Sequence, residues 1–129
     1  MVQVDYQKPL TKTLLLGLII YSSKVFSADI QRGENLFAAH CAYCHSIEKP
    51  AKNKKGPSLL GIVGRSSGSF PNYAFSVSMQ ASNLIWTREN LNQYLAQPRA
   101  FIPENKMGFK GMKDEKARIE LIEYLSLQN

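Results

Sequence analysis

Apolar positions in the last two-thirds of the chain recur at helical spacing. Ala117, Leu121, Tyr124 and Leu125 fall three or four residues apart, so one face of a helix gathers them. Asp114, just ahead of this run, is the expected N-cap. Leu91, Tyr94 and Leu95 make a second apolar face. Thr87 is placed to cap that helix, Glu89 suits its first turn, and Pro98 should stop it. Ile30, Gly33 and Phe37 share one face of an earlier helix, about residues 30–39, with Asp29 as its cap. A glycine inside a helix costs roughly 1 kcal/mol against alanine, so Gly33 points to another backbone packed closely on it. A shorter helix is expected near Ser76–Ala81.

Between the first helix and the short one the pattern breaks down. Pro50, Gly56, Pro57, Gly61, Gly64, Gly68 and Pro71 punctuate residues 46–72. A loop of that length is uncommon in a compact domain unless it has a task, and wrapping a cofactor is one. A second loop rich in Pro and Gly runs from Pro98 to Gly111. No segment alternates as an antiparallel sheet would. The class is therefore all-α, a small helical bundle.

The N-terminus is built differently. Lys8 and Lys12 precede the apolar run from Leu14 to Tyr21, and small residues lead to Ala28. This is the design of a secretory signal peptide. The run is too short for a bilayer, which needs about 20 apolar residues. Two details depart from the pattern. Asp5 lies in the basic region, and cleavage after Ala28 puts bulky Phe26 at minus three, where cleavage after Ser27 would put Val25. The expected layout is a leader over residues 1–28 and one domain over 29–129, with no stable membrane span once the leader is removed.

A chain of 129 residues accommodates one domain. Its net charge is +6. Removing Lys8, Lys12, Lys24 and Asp5 leaves 13 basic against 9 acidic side chains, a net +4. A mildly basic surface suits an acidic partner. No interleaving of basic and aromatic residues accompanies it, so nucleic acid is not the expected partner.

The two cysteines sharpen the picture. A disulfide between Cys41 and Cys44 would close too small a loop to stabilise much. Cys41-Ala42-Tyr43-Cys44-His45 is instead the C-x-x-C-H attachment signature of haem c. Each thiol adds across one haem vinyl group, and the adjacent His45 is placed to ligate the iron, for which a neutral imidazole is well suited. Two other uses fit the residues less well. Zinc usually needs four Cys or His ligands, and His40, Cys41, Cys44 and His45 crowd into six residues. A thiol-disulfide switch usually sits in a β-α-β setting, which this pattern lacks. His40 reads as an exposed neighbour. For a second axial ligand the soft donors are Met79, Met107 and Met112. Met107, in the loop between two helices, is freer to swing into place than a methionine on a rigid helix face. Met/His ligation raises the potential and leaves no open site.

With these residues in view, the chain resembles class I cytochrome c, more closely the bacterial periplasmic members similar to the mitochondrial protein. The likeness runs from about Gly33 to Leu125. It rests on Gly33 and Phe37, the C-x-x-C-H motif, Lys54-Lys55-Gly56-Pro57-Ser58-Leu59, Gly64-Arg65 with Gly68, Trp86, Tyr94-Leu95 with Pro98, the segment Ile102 to Gly111, and Leu121, Tyr124 and Leu125. The resemblance implies a bundle wrapped around one covalent haem c, with first and last helices crossing. It implies Met107 as sixth ligand, the Pro57 carbonyl accepting the His45 ring N–H, and the Tyr94 hydroxyl near the Met107 sulfur. Trp86 and Arg65 would hold a haem propionate. Asn105 stands where threonine is common and could donate to a propionate or water. Phe75 stands where a propionate-binding tyrosine is common, with the Ser76 hydroxyl beside it, and Met79 replaces a usual polar residue. The implied activity is one-electron shuttling by a monomeric, non-enzymatic carrier in a bacterial periplasm. Its implied partners are redox proteins with acidic docking surfaces, a quinol-oxidising complex upstream and a terminal oxidase or peroxidase downstream. Lys54, Lys55, Lys106, Lys110 and Lys113 are the candidates for a basic rim. The alternative is a haem enzyme or sensor with an open axial site.

Overall fold

The computed structural model describes residues 29–129, and the expected leader lies outside them. Five helices follow in order: α1 over residues 29–40, α2 Val77–Ala81, α3 Arg88–Ala96, α4 Pro98–Phe101 and α5 Glu115–Ser126. Asp29 is already helical and does not stand ahead of α1 as a cap. Thr87 and Asp114 cap where the sequence puts them, and Ser76, expected inside the short helix, caps it instead. Ser76 accepts from Met79 N at 3.2 Å, Thr87 from Asn90 N at 3.1 Å, and Asp114 from Lys116 N at 3.0 Å and Ala117 N at 3.3 Å. Each side chain satisfies an N–H that the first helical turn leaves without a partner.

Pro98 ends α3, but it also opens α4. Proline has no N–H to lose at the first position of a helix, and its fixed φ already suits one. One helical turn thus takes the place of the start of the expected loop, closed by Ile102 N donating to Pro98 O at 3.0 Å. The long segment between α1 and α2 is irregular, as its punctuation requires. It is pinned to the approach of α3 by an isolated antiparallel bridge between Ser66 and Ile85. Ser67 N donates to Leu84 O at 2.8 Å and Trp86 N to Arg65 O at 2.9 Å around it.

Helices α1 and α5 cross at Gly33. A Cβ there would come within 2.3 Å of Glu120 O and 2.6 Å of Tyr124 Cβ, so only glycine lets the backbones approach this closely. One turn on, Phe37 meets Tyr124 with ring centroids 6.0 Å apart. Leu121, on the inner face of α5, is wholly buried, which contributes about 1.5–3 kcal/mol. Helices α3 and α5 are tied by an Arg88–Glu123 ion pair at 3.0 Å and by buried Arg118, whose Nε donates to Asn92 Oδ1 at 2.7 Å. The core spans Phe37, Ile62, Trp86, Leu91, Tyr94, Leu95, Ile102, Ile122 and Leu125 among others, and one side of it opens into a cavity.

Candidate cofactor site

The cavity holds about 460 Å³ and is lined by Cys41, Cys44, His45, Pro57, Arg65, Ser76, Trp86, Tyr94 and Met107. It takes in nine of the ten residues that the sequence singles out; Asn105 lies behind it. Of the three candidate methionines, Met107 and Met79 line it. Met112 belongs to the core, with its N–H on Leu95 O at 2.8 Å. His40 lies at the rim beside Phe109, ring centroids 6.2 Å apart.

The attachment motif is the C-terminal exit of α1. Cys41 N still donates to Phe37 O at 2.8 Å, and Cys44 N and His45 N turn back to Cys41 O at 3.0 and 2.9 Å. This tight turn delivers both thiols and the imidazole to one wall. Both cysteines are free. Burial, with Cys44 nearby as the lesser cause, pushes the Cys41 thiol up to about 11.

His45 is held in one tautomer. Its Nδ1 lies 2.7 Å from Pro57 O, and a carbonyl can only accept, so Nδ1 carries the proton. Nε2 is left with its lone pair for a metal, the arrangement expected of a ligand fixed by its other nitrogen. Burial pulls the ring's pKa down, against the raising effect of the Pro57 bond, which favours the neutral form. Gly56 makes room for the ring. A Cβ there would stand 2.4 Å from His45 Cε1. The segment is braced behind the ring by Gly56 N on Cys44 O at 2.8 Å and Leu59 N on Ser46 O at 2.8 Å.

Also on the cavity wall, the Tyr94 hydroxyl lies 3.8 Å from Met107 Sδ and 3.4 Å from Asn105 Oδ1. Burial pushes the Tyr94 phenol up to about 12, so it is a neutral donor. Asn105, expected as a donor to a propionate or water, turns its amide toward main-chain carbonyls here. Its amide nitrogen donates to Pro98 O at 2.9 Å and Ile102 O at 2.7 Å, which uses both N–H groups. Trp86 is buried and packs on Tyr94, ring centroids 5.0 Å apart. Arg65 donates to Ser58 O at 2.7 Å and Leu60 O at 3.2 Å, and its guanidinium lies 4.7 Å from the Phe70 ring centroid. Burial lowers its pKa to about 10, which leaves it cationic at neutral pH. Among the described residues no carboxylate pairs with it. Ser76 spends its oxygen on capping α2 and shares a hydrogen bond with Ser78 Oγ at 3.0 Å.

Sequence reasoning missed the anchoring of several cations. Lys106 Nζ donates to Ala74 O at 2.6 Å and Lys54 Nζ to Ala42 O at 3.0 Å. Lys55 bonds the Tyr43 hydroxyl and sits 3.9 Å over its ring. Nothing in a lysine's sequence position announces such a bond, since the partners, two main-chain carbonyls and one hydroxyl, lie 12 or more residues along the chain. The donor set fits a covalent haem: two free thiols, a neutral imidazole with an available Nε2, an apolar cavity, and a half-buried cation suited to a propionate.

Residues 30–127 match the family described as Cytochrome c. A cytochrome c of Sesamum indicum is 40% identical over 97 residues, covering 75% of this chain and 87% of the relative. A cytochrome c2 of Blastochloris viridis is 40% identical over 121 residues, covering 92% of this chain and 94% of the relative. Among solved structures, cytochrome cH from Methylobacterium extorquens superposes with a TM-score of 0.70 at 40% identity, covering 75% of this chain and 96% of that one.

Proposed function

The chain belongs to the cytochrome c family, and from that premise we propose that it shuttles single electrons with His45 and Met107 as the axial ligands of its haem c. As in its family, the chain is an electron carrier with one covalent haem c, and Cys41 and Cys44 are the attachment points. The haem iron, when bound, supplies the redox step by cycling between ferric and ferrous. The residues around it set ligation, burial and access.

The observation that carries the ligand assignment is a pair of supports, one at each of two donor residues lining the same cavity. Pro57 O holds His45 Nδ1 at 2.7 Å, and the Tyr94 hydroxyl stands 3.8 Å from Met107 Sδ. The first engages the other ring nitrogen and leaves the Nε2 lone pair available; the second engages at most one of the two lone pairs on Sδ. His45 and Met107 together would hold the iron without leaving a ligand position for substrate, as a carrier requires. Arg65 and the Trp86 indole are the proposed propionate partners, since a carboxylate entering this cavity would be buried without them.

Export to a bacterial periplasm is part of the proposal. The match to the Blastochloris viridis cytochrome c2 covers 92% of the chain, a share that residues 29–129 alone cannot supply, so it reaches into the basic-then-apolar N-terminus. The proposed partners are acidic faces of a quinol-oxidising complex and of a terminal oxidase or peroxidase.

The absorption spectrum of the oxidised holoprotein tests the ligands. A weak long-wavelength band from sulfur-to-iron charge transfer is expected in the native protein, retained in Met79→Leu and lost in Met107→Ala. A band that survives in Met107→Ala and disappears in Met79→Leu would move the ligand to Met79. A high-spin spectrum without the band would mean an open site, and the reading would pass to a haem enzyme or sensor.

A further inference from the structure

We infer that Asn105 is a positioning residue that holds the Met107 sulfur on the iron, an inference that rests on Met107 being the sixth ligand. Asn105 is nearly buried, 7% exposed, and its side-chain amide is fully used. Nδ2 donates to Pro98 O at 2.9 Å and Ile102 O at 2.7 Å, and Oδ1 accepts from Met107 N at 2.9 Å and from the Tyr94 hydroxyl at 3.4 Å. That is two donors and two lone pairs, the whole capacity of a primary amide. The amide can be turned only one way. Two carbonyls demand its nitrogen on one side, and a main-chain N–H demands its oxygen on the other.

The consequence is mechanical. Pro98 O belongs to α4 and Ile102 O directly follows it, so the nitrogen side is fastened to a helical turn. The oxygen side takes the N–H of Met107 itself. The loop bearing the sulfur is thereby tied to α4 within six residues. The same oxygen also takes the Tyr94 hydroxyl, the group that stands next to Met107 Sδ. One side chain therefore sets the backbone of the ligand and the position of the hydroxyl beside its sulfur. A threonine or serine hydroxyl has one proton and cannot reach both carbonyls while accepting from Met107 N. Alanine leaves the Met107 N–H without a partner and cuts the side-chain tie to Pro98 O and Ile102 O, which keep only their main-chain donors Ile102 N and Asn105 N.

The test is competition for the iron by free imidazole, followed through the sulfur-to-iron band of the oxidised holoprotein. Removing a buried hydrogen-bond partner of this kind should lower the imidazole concentration that halves the band roughly tenfold in Asn105→Ala. Asn105→Thr should fall between it and the native protein. Exchange of the Met107 amide hydrogen should speed up by a similar factor in Asn105→Ala. Asp114→Ala, which removes the α5 cap, is the control: it should lower denaturant resistance without moving the imidazole midpoint. If Asn105→Ala keeps the native midpoint while Met107→Ala abolishes the band, Asn105 does not position the ligand and the inference fails alone. If Asp114→Ala shifts the midpoint as far as Asn105→Ala, the effect is general destabilisation and the inference fails. If the native protein has no band, the ligand assignment fails and takes the inference with it.

Discussion

Gly56 and His45 form a pair in which one residue's missing side chain is the other's space. The imidazole lies where a Cβ would sit, 2.4 Å from Cε1 and 2.8 Å from Nδ1. Alanine at 56 must push the ring, and moving the ring breaks the 2.7 Å bond from Nδ1 to Pro57 O. Overpacking of this kind costs about 1–3 kcal/mol. The affected atom is the nitrogen that fixes the tautomer, so the damage should appear at the ligand as well as in stability. Gly56→Ala is expected to lower the thermal midpoint of the holoprotein and to give a mixed-spin ferric spectrum. A native spectrum at native stability would show that the ring has room elsewhere.

Among the elements, the crossing of α1 and α5 depends most on a single position. Gly33→Ala gains roughly 1 kcal/mol of helix propensity, yet its Cβ meets a backbone oxygen at 2.3 Å that cannot yield as a flexible side chain would. Separating the helices loosens the Phe37–Tyr124 contact and the burial of Leu121. A net loss of about 1–3 kcal/mol is expected in guanidinium unfolding, and a gain in stability would refute the close crossing. The elements were the legible part of the sequence because helix faces and caps are local signals: Thr87 and Asp114 cap as their positions predict. The turn at Pro98 was misread because proline both stops one helix and suits the start of another. The Ser66–Ile85 bridge joins residues nineteen apart and carries no alternating pattern to betray it. At the site, the motif residues were readable from spacing and resemblance. The use of Asn105 was not, because its acceptors are the carbonyls of Pro98 and Ile102, and main-chain carbonyls look alike in every sequence.

For the molecule as a whole, the open question of physics is whether its positive charge is aimed. The described domain carries a net +4, too little to steer an approaching protein unless it is concentrated near the cavity mouth. Lys55 and Lys106 line the cavity, and Lys110 and Lys113 are exposed in the segment that follows Met107. Lys106 is a poor probe of steering, since its ammonium also holds Ala74 O at 2.6 Å and its removal would disturb the fold near the site. Lys110 and Lys113 have no such bond among the described residues, so their charge can be reversed with less structural consequence. Electrostatic attraction acts mainly on the association rate and is screened within about 10 Å at 0.1 M salt. Oxidation of the ferrous protein by ferricyanide, an anion with no protein surface of its own, reads the field at the cavity mouth directly. The double variant Lys110→Glu/Lys113→Glu should react several-fold more slowly than the native protein at low salt, and the two rates should converge as salt is raised. Equal rates at low salt would mean that these lysines only solvate the surface. Recognition of a partner would then rest on the apolar rim of the cavity and on Lys55, whose ammonium lies over the exposed Tyr43 ring.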